Sequence, residues 1–107
     1  MVLDFTPEQD MLREAVAGVC ARYAGLDVVR KMEDDPVGYP EKFWEQLAEL
    51  GLLGMTLPEE YGGSAMTMLD AMIVYTEFGR TLAPSPHFVS SVMSAGVIER
   101  AGSDAQR

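Results

Sequence analysis

The stretch from about Thr67 to Leu82 constrains this chain most. Its only formal charges are Asp70, Glu77 and Arg80, while Met68, Leu69, Ala71, Met72, Ile73, Val74, Tyr75 and Phe78 would surround a helix axis. A helix that is apolar nearly all round has to be packed on more than one side. The chain should therefore build a helical core around this segment, with further apolar surface covered by something. Its 107 residues amount to one domain and suffice for one hydrophobic core.

The remaining segments also read as helices. Thr6, Pro7 and Gln9 form a start signal: an N-cap, a proline at the first position and a capping-box partner three residues on. Met11, Leu12, Ala15, Val16, Val19, Cys20 and Tyr23 then recur at helical spacing, up to a stop near Ala24-Gly25. A short helix over Leu26–Asp35 runs into the breaker Asp35-Pro36-Val37-Gly38. From Pro40, the residues Phe43, Trp44, Leu47 and Leu50 face inward, and Glu41, Glu45 and Glu49 form a solvated outer row. Gly51 ends that helix, and Pro58 through Gly63 make a shaped turn. After Pro84-Ser85-Pro86 a last helix runs from about His87 to Ala101, without a formal charge until Glu99. The expected fold is all-α, a bundle of about five helices. No stretch alternates as a strand would, and no internal repeat is visible.

The net charge is −9, from 8 basic and 17 acidic residues, and 13 of those acids lie in the first 60 positions. No basic patch exists to neutralise a phosphate backbone, which argues against nucleic acid, and an anionic membrane surface would repel the chain. Residues 61–107 are short of the charged side chains a free surface needs, another sign of a covered face. The single cysteine, Cys20, fits a reducing, cytoplasmic setting and a buried, unreactive role on an apolar stripe. Ser103 and Gln106 repeat the start signal with no helix after it, so the chain reads as part of a longer polypeptide.

Chemistry-bearing residues are few. One histidine and one cysteine supply no metal-ligand spacing, and Gly62-Gly63 lacks the pattern of a phosphate loop. His87 has no acidic partner nearby in sequence and reads as a cap for the last helix rather than a base. Arg80 could pair with Asp70, with Glu77 or with parts outside the chain. His87, Ser90, Ser91 and Ser94 would share one helix face, where small hydroxyl residues admit either a neighbouring helix or a ligand chain. The eight methionines, among them Met66, Met68, Met72 and Met93, suit core filling first and an adaptable apolar pocket second.

Two motifs then carry a family resemblance: Phe43-Trp44-Glu45-Gln46-Leu47-Ala48-Glu49-Leu50-Gly51-Leu52-Leu53-Gly54 and Pro58-Glu59-Glu60-Tyr61-Gly62-Gly63. With the Thr6–Arg13 opening, Glu77-Phe78-Gly79-Arg80 and Ala101-Gly102-Ser103, they closely resemble the N-terminal helical domain of acyl-CoA dehydrogenases over essentially all of residues 1–107. The resemblance implies a middle β domain and a C-terminal helical domain in the full-length protein. It implies FAD, bound mainly by those other parts, and removal of a proton from Cα and a hydride from Cβ of an acyl-CoA thioester. The base, normally a glutamate, belongs to the C-terminal part, so this segment alone should be inactive. An electron-transfer flavoprotein as acceptor and a homo- or hetero-oligomer are further implications. So are two rivals: an acyl-CoA oxidase or flavin monooxygenase on the same fold, and a non-catalytic assembly subunit. The helix after the Gly79-Arg80 turn would line the acyl tunnel, which assigns Pro86, Val89, Ser90 and Met93 to the substrate; the small Val89 and Ser90 suggest a roomy pocket.

Overall fold

The computed structural model describes residues 3–107. The elements are α1 (Pro7–Tyr23), α2 (Leu26–Met32), α3 (Glu41–Glu49), a single 3₁₀ turn (Glu59–Tyr61), α4 (Met68–Thr81), a π-helical segment (Phe88–Ser94) and α5 (Ala95–Ala101), which continues it. The described residues contain no strand. The all-α expectation is therefore met.

Both long helices are started by their own sequence. Thr6 Oγ1 accepts from the Gln9 N–H at 3.2 Å and Gln9 Oε1 accepts from the Thr6 N–H at 3.0 Å, completing the capping box read from sequence. Thr67 and Asp70 build a second box at α4. Gln9 then joins the two starts, because its Nε2 donates to Asp70 Oδ1 at 3.2 Å across 61 residues of chain. At the far end Cys20 lies beside Thr81 and Glu77. So α1 and α4 run side by side in the same direction, with one register from cap to cap.

The core forms along that pair and under α3. Val16, Cys20 and Ala24 meet Phe43 and Leu47, together with Leu52, Met55, Ala71, Val74 and Phe78, all buried. Phe43 and Phe78 join α3 to α4 with ring centroids 5.6 Å apart. Leu50, placed inward by its spacing, is instead exposed, because it caps α3 where Gly51 turns the chain at φ 74°. The helix α2 stops at Met32, earlier than expected, and Asp35 Oδ1 holds the breaker by accepting from the Val37 and Gly38 N–H groups.

The Pro58–Gly63 turn closes on itself. Gly62 takes a left-handed φ of 82°, and a Cβ on Gly63 would collide with the Leu57 carbonyl. Backbone bonds from Ala65 to Leu57 and from Met66 to Met55 bring the chain back to start α4.

The result is a slab of 41 × 39 × 20 Å. Its accessible surface is 7211 Å², against about 5,900 Å² for a compact monomer of 11.7 kDa. Much of what it exposes is apolar. The helix α4 buries Ala71, Ile73, Val74, Glu77 and Phe78, while Met68, Leu69 and Met72 stay exposed. Within the described residues, its second apolar side is uncovered.

Candidate functional site

The segment after the proline break is where the family resemblance places the substrate. Pro84 and Pro86 cannot donate backbone hydrogen bonds, so α4 cannot continue through them. Ser85 Oγ accepts from the His87 N–H at 3.1 Å and starts the next turn. That corrects the role read for His87: its side chain makes no cap bond, and Ser85 does the local work.

The His87 ring goes into the core instead, at 0% exposure. Nε2 lies 2.7 Å from the Leu52 carbonyl oxygen, and Nδ1 lies 2.7 Å from the Tyr75 hydroxyl. A carbonyl can only accept, so Nε2 carries the proton, and the Tyr75 O–H donates to Nδ1. The ring also stands edge-on to Tyr75 and Phe78, with centroids 5.4 and 5.8 Å apart, and Tyr75 meets Phe88 at 5.7 Å. Burial holds the imidazole below its ordinary value of 6.5, with the Leu52 bond opposing that shift, which favours the neutral ring. Burial also pushes the Tyr75 hydroxyl up to about 12.

The π-helical form sets which side chains face out. Its i→i+5 bonds hold more residues per turn, so side chains three apart no longer stack, while those four apart still do. His87 and Ser91 are buried together, whereas Ser90 and Ser94 are exposed. The expected shared face of His87, Ser90, Ser91 and Ser94 is thus split in two by the wider turn. Ser91 Oγ is buried without a hydrogen-bond partner.

Of the four residues assigned to substrate, Val89 and Met93 lie one turn apart on the outer side, 59% and 54% exposed, and Val97 extends their stripe. Ser90 is exposed beside them and Pro86 is half-buried at the segment's start. Met93 also lines a groove of about 540 Å³ with Met66, Met68, Val92, Val97 and Thr56, and Glu99 and Arg100 are the charged residues of its lining. Pro86, Val89 and Ser90 do not line that groove. Sequence reasoning missed Tyr75, which reads as one more apolar residue of α4, and no side-chain pattern could announce the Leu52 carbonyl.

The other candidates resolve simply. Cys20 is buried and free, and burial raises its thiol, with Thr81 lowering it and Glu77 raising it further, an environment that suits the unreactive role expected of it. Arg80 pairs with Glu77 at 3.3 Å, the Glu77 carboxylate being buried. The Thr67 backbone bond holds Asp70 below its ordinary 3.8, against some burial and with help from the Gln9 and Thr67 side chains. Among the described residues no group of three His, Cys, Asp or Glu could hold a metal ion, and no helix is long and apolar enough to cross a membrane. The Gly62-Gly63 turn does not suit a flavin pyrophosphate, since Gly63 lies against an acceptor carbonyl, and Glu59 and Glu60 add negative charge.

Among the described residues, what remains is an all-helical arrangement that offers an exposed apolar helix face. Residues 6–107 match the family model described as acyl-CoA dehydrogenase, N-terminal domain. The chain belongs to the acyl-CoA dehydrogenase family. It is similar to the acyl-CoA dehydrogenase IpdE2 of Mycobacterium tuberculosis, 39% identical over 100 residues that cover 92% of this chain and 31% of that protein. It is also similar to 3-sulfinopropanoyl-CoA desulfinase of Paraburkholderia xenovorans, 39% identical over 71 residues, or 64% of this chain and 18% of the other. Among solved structures, a variant of the Tcur3481-Tcur3483 steroid ACAD superposes with a TM-score of 0.83 at 29% identity, over 94% of this chain and 27% of that one. The chain thus spans less than a third of the length of these relatives.

Proposed function

We propose that residues 1–107 serve as the N-terminal helical domain of an FAD-dependent acyl-CoA dehydrogenase, packing on the rest of the polypeptide and forming one wall of the acyl pocket. The observation that carries this reading is the charge-free apolar stripe of Val89 and Met93, exposed on a fold of the acyl-CoA dehydrogenase family. Apolar walls with few polar groups suit an acyl tail, and Ser90 and Pro86 flank the stripe without adding charge. FAD supplies the oxidant when bound, held by regions outside this segment. The chain's own part is to bind and orient the acyl group and to exclude water from it. The same reading puts the protein in the cytoplasm, in a homo- or hetero-oligomer, and passing electrons to an electron-transfer flavoprotein.

The likeness to a desulfinase supports keeping a second reading, in which the same domain serves a different reaction of an acyl-CoA, such as an oxidase or a monooxygenase. The likeness to a steroid ACAD supports including bulky ring-bearing acyl groups among the substrates tested. The test is an absorbance spectrum of the full-length protein beside the segment, followed by anaerobic addition of acyl-CoA. A flavin spectrum in the full-length protein only, bleached by acyl-CoA, is expected. A colourless full-length protein contradicts the proposal, and rapid oxygen consumption by the reduced protein favours the oxidase reading.

A further inference from the structure

The π-helical segment meets the core through Phe88 against Tyr75, through the buried Ser91 and through His87 at its start, and of these three side chains only His87 hydrogen-bonds to the core. Helix packing joins α1 to α4 and α1 to α3, whereas among the described residues the segment's close helical contacts are with α5, the next turns of the same helix. Its outer stripe is open, and the Oγ of Ser91, the buried residue one turn after His87, has no hydrogen-bond partner. His87, immediately before the segment, instead reaches two other parts of the fold at once. One bond goes to the loop after α3 and the other to α4, both at 2.7 Å.

These bonds are directional. The Leu52 carbonyl requires a donor and the Tyr75 hydroxyl, as arranged, an acceptor, and a neutral imidazole presents one of each across a rigid ring. We propose that His87 is the positioning residue for the acyl-facing wall: by joining Leu52 to Tyr75 it fixes the seat and rotation of the π-helical segment that presents Val89 and Met93. The inference rests on the reading above that this wall meets the acyl group. Val89 lies two residues from His87, on the side away from the core, so a rotation about the buried ring moves it directly.

An apolar residue in place of His87 leaves the buried Leu52 carbonyl and the part-buried Tyr75 hydroxyl without this partner, and the segment must shift to hydrate them. Such a shift alters the wall along the acyl group, and a long acyl group meets more of that wall than a short one. A general loss of folded protein would lower both alike.

The experiment uses the full-length flavoprotein and a series of saturated straight-chain acyl-CoA thioesters. The readout is the ratio of kcat/KM for the longest accepted chain to that for a short one, with the flavin spectrum as a check on integrity. His87→Leu is expected to change that ratio about tenfold and Tyr75→Phe about threefold, while His87→Gln, which can still donate to Leu52, falls between wild type and His87→Leu. A ratio unchanged in His87→Leu with a normal flavin spectrum overturns the proposal. If His87→Leu does not hold flavin, an unchanged ratio in Tyr75→Phe overturns it instead. Val89→Trp separates the two levels of inference. A shift at Val89 with none at His87 or Tyr75 sinks the positioning role alone, and no shift at Val89 sinks the wall assignment and this inference with it.

Discussion

The two halves of this domain use their apolar residues in opposite ways. Along α1, α3 and the inner side of α4, apolar side chains face each other: Val16, Cys20, Phe43, Leu47 and Val74 are fully buried and the helix starts are cross-linked through Gln9 and Asp70. Along the outer side of α4 and the last helical segment, comparable residues stand open: Met68, Leu69, Met72, Val89, Met93 and Val97. The first half explains why the domain folds. The second supplies a surface that folding leaves unused, which is where an apolar partner gains most from contact.

Substitutions can break that contrast. Phe43→Ala should cost about 3–5 kcal/mol, through lost burial and the cavity left beside Phe78. Hydrogen exchange over α1 and α3 in the native protein would register it as faster opening. Val89→Ala should change the same readout by less than about 0.5 kcal/mol, since an exposed side chain leaves no cavity. Equal costs at the two sites would dissolve the distinction.

His87 joins the halves, and its removal should fall between those limits. His87→Leu should cost about 1–3 kcal/mol from the orphaned Leu52 carbonyl and Tyr75 hydroxyl, seen as earlier exchange over residues 88–101 than over α1. The junction should also respond to pH. The folded imidazole sits below the unfolded value of 6.5, so the unfolded state takes up the proton first. Its contribution is complete above pH 6.5 and is lost as the pH falls through the lower folded value. Thermal unfolding at pH 7.5 and pH 5.5 should show a drop in midpoint that His87→Gln reduces. An equal drop in both proteins would assign the pH dependence elsewhere. A smaller effect, about 1 kcal/mol, is expected from Thr67→Ala, which removes the α4 cap and frays the first turn in the same exchange experiment.

How much of this was legible in the sequence depended on whether the signal was local. The α1 start was readable because Thr6, Pro7 and Gln9 satisfy backbone groups within four residues of one another. The Phe43 and Leu47 stripe and the turn at Gly62-Gly63 were readable for the same reason. Leu50 misled because a capping position overrode its helical phase. His87 misled more, since what decides its place, Tyr75 and the Leu52 carbonyl, lies 12 and 35 residues away. The face of hydroxyl residues failed because the spacing argument assumed α geometry where the chain takes a π turn. The open apolar side of α4 was foreshadowed by its composition. Which side would remain open was not, because the parallel register with α1 decides it.

The central claim is that the outer stripe of the last helical segment is the wall an acyl group meets. The most direct measurement is the acyl-length profile of Val89→Trp in the full-length flavoprotein, beside wild type. An indole on that stripe should shorten the longest chain accepted while the flavin spectrum stays normal. A normal flavin spectrum with an unchanged length profile would contradict the account.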